Sequence, residues 1–350
     1  MHPHDSLLPL FCPFPSRINP HVDEADVRSV DWASDAGLVG APDVARLRAA
    51  RFAWLSSRAY PTAPVDELVL VSQWNLWLFA HDDACDAAEI GRDPEAMTDL
   101  YARLGRALRD ETPEATDPPL AHALHELARR IFARARPAWR HRFIEVVENY
   151  FAGCLWEARN RRLRRVPSVE EYVRMRRAAG AVQTAIELIE VCERITIDDE
   201  MLDHQTVAAM ALACNDVVCW TNDLASLPKE RAEDNVHNLV VVLRDSRSPR
   251  DWPRATAQAM DMLDGRVRDF MALAATVPSF GAERDVELAR YIGNLRSWMR
   301  GNIDWALESG RYRVASGEHG SALDAPADTP VDPGAPAAIP ILSHMRAAEG

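Results

Sequence analysis

Three aspartates follow a long apolar segment of the sequence and could hold a metal ion. Asp82 and Asp86 are four residues apart, so on a helix they project from the same face, and Asp83 lies beside them. Carboxylates that meet against a core are poorly tolerated unless a cation neutralises them, and hard divalent cations such as Mg²⁺ take oxygen ligands of this kind. The spacing therefore predicts a divalent-cation site, and the alternative is an acidic helix end that faces solvent.

A second polar group of residues lies far along the chain. Asn222, Ser226 and Glu230 are spaced by four residues and would place three oxygen ligands on one helical face, enough for one cation site. Lys229, the single lysine of the chain, adds a compact positive charge suited to a phosphate oxygen. Pro228 removes a helical hydrogen bond, so we expect a bend before Glu230. The alternative is an ordinary polar end of a buried helix.

The segments around these residues are helical in pattern. Apolar residues recur at spacings of three and four, glycine is sparse with 15 residues, and prolines separate the periodic stretches. The sequence predicts an all-α bundle of about ten or more helices around a central cavity, with no internal repeat. We expect an irregular arm over residues 1–25, one helical domain over 26–315, and a disordered tail over 316–350, where Ala, Pro, Asp and Gly dominate.

Composition and charge exclude several classes of function. The 350 residues contain 40 Lys and Arg against 53 Asp and Glu, a net charge of −13, which is unsuited to binding nucleic acid or an anionic membrane over a broad surface. No signal peptide and no apolar run of membrane-spanning length is evident. The six cysteines are scattered without a CxxC pair, which favours buried thiols in a reducing compartment, and we expect a cytoplasmic protein.

The two polar groups, taken together, resemble the metal motifs of the class I terpene synthases, and most closely those of the bacterial cyclases. Asp82, Asp83 and Asp86 match the DDxxD motif of that family. The second motif, NDxxSxxxE, is matched by Asn222, Asp223, Ser226 and Glu230.

The resemblance covers about residues 10–315 and extends to further positions. Arg176 precedes Asn222 by 46 residues, which is the spacing of the diphosphate-sensing arginine of the bacterial enzymes. Gly180 matches the helix-break glycine of the family, and the terminal Arg-Tyr pair, Arg311 and Tyr312, follows a segment that contains Trp305. One position departs from the pattern: Ala179 stands where the family usually has a polar or acidic residue that links diphosphate sensing to helix movement.

The resemblance implies an enzyme that ionises and cyclises a linear prenyl diphosphate and releases diphosphate. It implies three Mg²⁺ ions, two held by Asp82 and Asp86 and the third by the Asn222 motif, with Asp83, Asp223 and Gly180 in supporting positions. The diphosphate would be bound by Arg176, Lys229, Arg311 and Tyr312. Farnesyl diphosphate is the expected substrate, with geranyl and geranylgeranyl diphosphates as alternatives, and we expect a monomer or homodimer.

The hydrocarbon part of such a substrate needs a dry cavity, because water would quench a carbocation. Aromatic faces stabilise a passing cation by about 0.5–2 kcal/mol each. The candidates for the cavity wall are Phe79, Trp77, Ala179, Trp298 and Trp305. For each aromatic residue the alternative is plain core packing.

Three rival functions share parts of this pattern. A prenyl-chain elongating synthase would have a second aspartate-rich motif in place of the Asn, Ser and Glu found here. A metal phosphohydrolase could use the pair His81 and Asp82, but it would need further histidines, for which His122 and His125 are the candidates. A helical binding protein, such as an inactive cyclase homologue, would bind its ligand without turnover.

Overall fold

The computed structural model describes residues 10–87, 89–233, 235–246 and 250–313, apart from the side chains of residues 86, 87, 89 and 313. The described residues form α-helices and two 3-10 helices, Ala41–Asp43 and Glu89–Arg92, with no strand among them, and the predicted all-α class is confirmed. The α-helices in chain order are α1 (Val22–Asp35), α2 (Val44–Ala50), α3 (Phe52–Ala59), α4 (Val65–Ala87), α5 (Pro94–Leu108), α6 (Pro119–Phe132), α7 (Pro137–Leu163), α8 (Val169–Ala179), α9 (Val182–Glu193), α10 (Asp199–Asp203), α11 (Gln205–Ala232), α12 (Leu239–Asp245), α13 (Trp252–Ala274), α14 (Ala282–Glu308) and α15 (Gly310–Arg313). The tail expected over 316–350 lies outside the described residues.

The residues before α1 lie irregularly over the helices. The backbone N–H of Phe11 donates to Asp264 Oδ1 at 2.8 Å, and Ser16 Oγ donates to Asp304 Oδ2 at 2.6 Å. Asn19, which is buried, donates from its amide to two carbonyl oxygens after α3. Residues 10–21 are thus tied to α3, α13 and α14 by hydrogen bonds instead of by helical structure.

Two long helices at the centre carry the two polar motifs. α4 is largely apolar, with two acidic residues, Asp66 and Glu67, in its first turn, and it packs against α1, α3, α6 and α9. α11 is surrounded by α8, α12, α13 and α14. Each helix carries its polar motif near its C-terminal end, so a charged site can form where these two ends meet. All six cysteines are buried free thiols, as predicted.

The bend expected at Pro228 does not end its helix. α11 continues through Pro228 to Ala232. The N–H that Pro228 lacks would have donated to the carbonyl of Leu224 one turn earlier, so the helix loses that one hydrogen bond and continues. Glu230 therefore stays on the same helix as Asn222 and Ser226.

The helix break near Gly180 depends on the left-handed backbone conformation of the next residue, Ala181. α8 ends at Ala179, and Gly180 keeps right-handed helical angles (φ −74°, ψ −5°). The left-handed residue is Ala181 (φ 59°), and α9 begins directly after it. The carbonyl of Ala181 accepts a hydrogen bond from Thr184 Oγ1 at 2.7 Å, and Trp74 Nε1 in turn donates to that hydroxyl at 3.0 Å, so α4 helps to fix the break.

Gly180 is required at this break by close packing and not by its backbone angles. A Cβ atom at position 180 would overlap Cys219 Sγ and would lie 3.0 Å from the carbonyl oxygen of Arg176. The absence of a side chain therefore lets α8 approach α11. A glycine inside a helical segment is compatible with a helix break or with a close contact between helices, and Gly180 lies at both.

We predict that Gly180→Ala lowers the melting temperature, because overpacking a tight contact typically costs about 1–3 kcal/mol. Scanning fluorimetry measures the change, and adding Cys219→Ala should restore part of it by removing the sulfur. The control is Gly265→Ala in α13, where an added Cβ meets nothing within 4 Å. That variant should be as stable as the parent or slightly more stable. A Gly180→Ala protein of undiminished stability would contradict the close contact.

Candidate active site

A cavity opens among the polar ends of α4, α8 and α11 and the segment that follows α14. Its wall brings together residues that the sequence predicted from four separate segments. Those that line it are Phe79, Asp82, Arg176, Ala179, Gly180, Asn222, Ser226, Lys229, Glu230, Trp298, Trp305, Arg311 and Tyr312. The polar members lie at one end, and the aromatic members continue along α4 and α14.

The first aspartate motif is joined to the end of the described chain by Arg311. The guanidinium group donates to both carboxylate oxygens of Asp83, at 2.9 and 3.3 Å, and to Asp82 Oδ2 at 3.3 Å. It also lies over the ring of Phe79, with 4.8 Å between Arg311 Cζ and the ring centroid. Asp83 is buried whereas the Asp82 side chain is about half exposed. Asp86 belongs to α4, but its side chain lies outside the described residues.

The Asp223 carboxylate is buried and is held by three donor residues from two other helices. Arg176 donates from Nε to Oδ1 at 3.0 Å, and its Nη2 lies 2.8 Å from the same oxygen. Tyr172 donates its hydroxyl to Oδ2 at 2.6 Å, and the backbone N–H of Leu239 donates to Oδ2 at 3.1 Å. These contacts join α8, α11 and α12 behind the cavity wall. Asp223 thereby fixes the side chain that the sequence had identified as the diphosphate sensor.

Asn222 connects Arg176, the predicted diphosphate sensor, to Tyr312. Its Oδ1 accepts from Arg176 Nη2 at 2.9 Å, and its Nδ2 donates to Tyr312 Oη at 2.8 Å. Ser226 Oγ donates to the carbonyl of Asn222 one turn earlier, at 2.7 Å. Tyr312 is buried, and burial raises the pKa of its hydroxyl to about 12. Three segments that are distant in sequence, represented by Arg176, Asn222 and Tyr312, therefore share one hydrogen-bond network.

Glu230 is held by a residue that the sequence analysis did not identify. Asn238 Nδ2 donates to Glu230 Oε2 at 2.7 Å and to the carbonyl oxygen of Asp223 at 2.6 Å. The amide oxygen of Asn238 accepts from the N–H of Val240, which caps α12. An asparagine directly before an apolar run is a sequence signal for such a cap. Its second role at the cavity depends on α12 folding back against α11.

The donor set fits a hard cation. Asp82, Asn222, Ser226 and Glu230 supply carboxylate, amide and hydroxyl oxygens to one cavity, which are the ligand types of Mg²⁺. Burial, with a smaller contribution from the nearby Asp223 carboxylate, raises the pKa of Glu230 to about 8. A carboxylate destabilised in this way is one that a cation would stabilise. Among the described side chains, which do not include that of Asp86, no group of three His, Cys, Asp or Glu residues is placed to hold a metal ion, and Asn222 and Ser226 of the second motif are not of those types.

Besides Arg311, three further cations of the described chain line the cavity: Arg161, Arg176 and Lys229. Arg176 points toward the Asn222 motif, whereas Glu171 on the same helix is paired with Arg165 at 2.6 Å. Lys229 lies 3.9 Å from Glu233 on its own helix. Burial disfavours the charged form of Arg311, but the Asp83 and Asp82 carboxylates outweigh it and raise the pKa of the guanidinium above its ordinary value. Positive charge is thus concentrated at the same end as the oxygen ligands.

Aromatic rings form the cavity wall below Arg311. Trp305 lies 5.6 Å from Phe79 and 5.6 Å from Tyr312 between ring centroids, and its indole N–H donates to carbonyls at the end of α2. Phe52 stacks on Phe79 at 4.2 Å from behind. Trp298, about two turns before Trp305 on α14, also lines the cavity. The rings of Phe79, Trp298 and Trp305 can therefore face a ligand.

Trp77 does not belong to this wall, which corrects the assignment made from sequence. It is fully buried, its indole N–H donates to the carbonyl of Leu120 at 2.9 Å, and its ring stacks on Trp74 and His81. On α4 it is two residues before Phe79 and therefore faces away from the cavity. Trp77 packs α4 against α6, as its alternative reading implied.

The histidines do not form the second metal centre that a phosphohydrolase needs. His81 is fully buried, with Nδ1 2.7 Å from Tyr150 Oη, and burial lowers its pKa to about 4. His122 is exposed, His125 Nε2 lies 3.2 Å from Asp110 Oδ1, and neither histidine lines the cavity. No described helix is long and apolar enough to cross a bilayer.

The chain is similar to known proteins over most of its length. Residues 73–269 match the family model described as terpene synthase family 2, C-terminal metal binding. The germacrene A synthase of Nostoc punctiforme is 33% identical over 87% of this chain and 94% of its own length. The (+)-T-muurolol synthase of Roseiflexus castenholzii, named as (2E,6E)-farnesyl diphosphate cyclizing, is 36% identical over 87% of this chain and 93% of its own.

Solved structures of the same kind share the fold. Germacradien-4-ol synthase from Streptomyces citricolor superposes with a TM-score of 0.76 and 25% identity over 86% of this chain and 98% of its own. The ancestral reconstruction SVS_A2 gives a TM-score of 0.79 with 28% identity, over 85% of this chain and 89% of its own.

We predict that Asn238→Asp abolishes the thermal stabilisation given by Mg²⁺ together with inorganic diphosphate. Aspartate caps a helix as well as asparagine does, so α12 should persist, but a carboxylate would replace the donor that faces Glu230. The parent protein should melt at a higher temperature when both ligands are present, because they bind only the folded state. Scanning fluorimetry with and without the ligands measures the shift.

The control exchanges the same two residue types at another helix cap. Asp93 caps α5 on the surface, and Asp93→Asn should leave both the stability and the ligand-induced shift unchanged. If Asn238→Asp kept the full ligand-induced shift, Asn238 would have no role in holding Glu230 for a cation.

Proposed function

This chain belongs to the class I terpene synthases, and we propose that it ionises and cyclises farnesyl diphosphate to a cyclic sesquiterpene with release of diphosphate. The observation that carries the proposal is the cavity, which has two oxygen-rich motifs and the cations Arg176, Lys229 and Arg311 at one end and aromatic rings along the rest of its wall. A diphosphate ester of a hydrocarbon chain has the same division of polarity. The relatives named above, which make cyclic sesquiterpenes, support the choice of a fifteen-carbon substrate.

The metal-binding character of the family fits the oxygen donors of the cavity. We propose three Mg²⁺ ions, two on Asp82 and Asp86 and one on Asn222, Ser226 and Glu230. When bound, Mg²⁺ supplies Lewis acidity that favours departure of the diphosphate from the allylic carbon. The raised pKa of Glu230 supports this placement, because burial outweighs the nearby charge of Arg176 and a bound cation would stabilise the carboxylate.

The cations of this chain bind the leaving group. The forked guanidinium groups of Arg176 and Arg311 suit diphosphate oxygens, Lys229 offers a point charge, and Tyr312 offers a hydroxyl group. Both arginines now pair with carboxylates, Arg176 with Asp223 and Arg311 with Asp83. Substrate binding would therefore exchange part of these contacts for contacts with diphosphate. The charge is preorganised, which is usually the largest contribution to catalysis of such a step.

The aromatic wall holds the hydrocarbon and the cation formed from it. Phe79 and Trp305 lie one turn or less below the polar end and are the first rings that an allylic cation would meet. Tyr312 contacts both Trp305 and Asn222, so the C-terminal segment joins the aromatic wall to the metal motif. This segment helps to exclude water from the reacting carbon. Ala179 cannot relay diphosphate binding through a side-chain hydrogen bond, and we expect Ala179→Ser to change turnover by only a few-fold.

The function is tested by incubating the purified chain with Mg²⁺ and each of the geranyl, farnesyl and geranylgeranyl diphosphates. We expect cyclic fifteen-carbon products from farnesyl diphosphate by gas chromatography and mass spectrometry, their loss with EDTA, and their return with excess Mg²⁺. Glu230→Gln, which keeps the shape but removes a charged ligand, should lower turnover by at least about tenfold. A longer diphosphate, free monophosphate or no turnover would support one of the rival functions, and a faster reaction with another chain length would correct the substrate.

We predict that Arg176→Ala lowers turnover by about 10- to 100-fold, the loss expected for one charge-assisted contact of about 1.5–3 kcal/mol. The control is its neighbour Arg177, which pairs with the buried Asp216 on the other side of α8 and does not line the cavity. Arg177→Ala leaves Asp216 with Arg266, so turnover of the folded protein should persist. Steady-state assays at equal folded concentration, checked by circular dichroism, compare the two. Equal losses in both variants would remove Arg176 from diphosphate binding.

A further inference from the structure

We propose that Asn75 and Asn302 bind a water molecule in the hydrocarbon part of the cavity, and that this water captures the final carbocation to give a cyclic sesquiterpene alcohol. The inference rests on the proposed function and concerns the fate of the cation, which the metal and diphosphate residues do not determine. It assigns two positioning residues that neither motif of the sequence contains.

Asn75 presents an amide oxygen to the cavity. Its side chain lines the cavity and the residue is only 3% exposed. Asn75 Nδ2 donates to Ser56 Oγ at 3.0 Å, and the Ser56 hydroxyl itself donates to the carbonyl of Phe52 at 3.3 Å. The orientation of the amide is therefore fixed, with the NH₂ group toward α3. No described residue donates to Asn75 Oδ1, and this oxygen does not belong to the inaccessible side-chain atoms that lack a partner. The oxygen is therefore accessible from the cavity that Asn75 lines.

Asn302 has the same arrangement on the facing helix. It lines the cavity, is 4% exposed, and donates from Nδ2 to the carbonyl of Val218 at 3.2 Å. A carbonyl can only accept, so the NH₂ group must face α11 and the amide oxygen must face away from it. Its Oδ1 likewise has no donor among the described residues and is accessible from the cavity.

The two amides lie at a similar depth. α4 and α14 run in the same direction toward the polar end, since Phe79 contacts Trp305 at 5.6 Å and Arg311, beyond α14, contacts Asp82 near the end of α4. Asn75 precedes Phe79 by four residues and Asn302 precedes Trp305 by three, which is about 6 Å and about 4.5 Å along the respective helix axes. Both amides are therefore about one turn below the aromatic pair, on the side away from the diphosphate residues.

The amide oxygens of Asn75 and Asn302 lie at a similar depth in the cavity and suit a small ligand that donates hydrogen bonds. A buried amide oxygen without a donor is costly, and a hydrocarbon chain offers it no hydrogen. A water molecule that donates one hydrogen to each amide oxygen satisfies both of them. Both of its hydrogens then point to the wall, and its oxygen lone pairs point into the cavity. A water held in this way is oriented as a nucleophile toward a cation that reaches this depth.

The capture step balances with groups that the reaction itself supplies. A lone pair of the bound water forms a C–O bond to the cationic carbon, which gives a protonated alcohol. That oxonium loses one proton to the diphosphate released in the first step, the base that the reaction generates. The products are a neutral alcohol and protonated diphosphate, without an oxidant or a further co-reactant.

The test is turnover of farnesyl diphosphate in H₂¹⁸O, with products analysed by mass spectrometry and total turnover measured as diphosphate release. The parent enzyme should give a cyclic alcohol that carries ¹⁸O. Asn75→Leu and Asn302→Leu, which replace each amide by an apolar side chain of similar size, should lower the ratio of cyclic alcohol to hydrocarbon at least tenfold while diphosphate release stays within a few-fold. A purely structural role would change turnover and leave this ratio unaltered.

Asn294→Leu is the matched control, because Asn294 is a buried asparagine two turns earlier on α14 that does not line the cavity. It should leave the alcohol fraction unchanged. Diphosphate release with only hydrocarbon products from the parent enzyme would overturn the inference while the proposed function stands, whether or not any variant folds. Labelled alcohol that persists in both cavity variants, or an equal change in Asn294→Leu, would also overturn it. Absence of diphosphate release would refute the proposed function itself.

Discussion

The arrangement of the site depends on how the buried Asp223 carboxylate is satisfied. Its two oxygens accept from Arg176, from the hydroxyl of Tyr172 and from the backbone of Leu239, and each donor belongs to a different segment from Asp223 itself. A buried carboxylate is costly unless it is paired and hydrogen-bonded, so these contacts must form together. They bring α8 and α12 onto α11, and they leave Asn222, the preceding residue, facing the cavity with Arg176 against it.

A second set of charge pairs closes the other side of the cavity. Arg311 lies between the Asp82 and Asp83 carboxylates and the ring of Phe79, so the end of the described chain is drawn onto α4. The same arginine is proposed to contact the leaving diphosphate. Its pairing with Asp82 is the longer contact and Asp82 is the more exposed partner, so Asp82 is the ligand that a cation could reach most easily. Charge that stabilises the fold at this end is therefore the charge that the chemistry uses.

Polarity changes along the cavity in three steps, and each step follows from helix register. Asp82 and Asn222 lie at the polar end, Phe79 and Trp305 lie about one turn below, and the amides of Asn75 and Asn302 lie about one turn below the rings. A fully apolar lower part would favour loss of a proton to give a hydrocarbon. Two open amide oxygens in that part instead provide a place for water, which links the product class to two residues far from the metal motifs.

The sequence by itself determined the features that depend on local spacing. Asn222, Ser226 and Glu230 share a face because the helix period places every fourth residue there, and the apolar run of α4 had to be buried. Only the tertiary structure decided which face of α4 meets the cavity, so Phe79 lies on the wall whereas Trp77 packs against α6. The role of Asn238 and the left-handed Ala181 were also hidden, because each depends on contacts between segments distant in the chain. Spacing along one helix fixes which side chains point together, but what they point at is set by the packing of other helices against it.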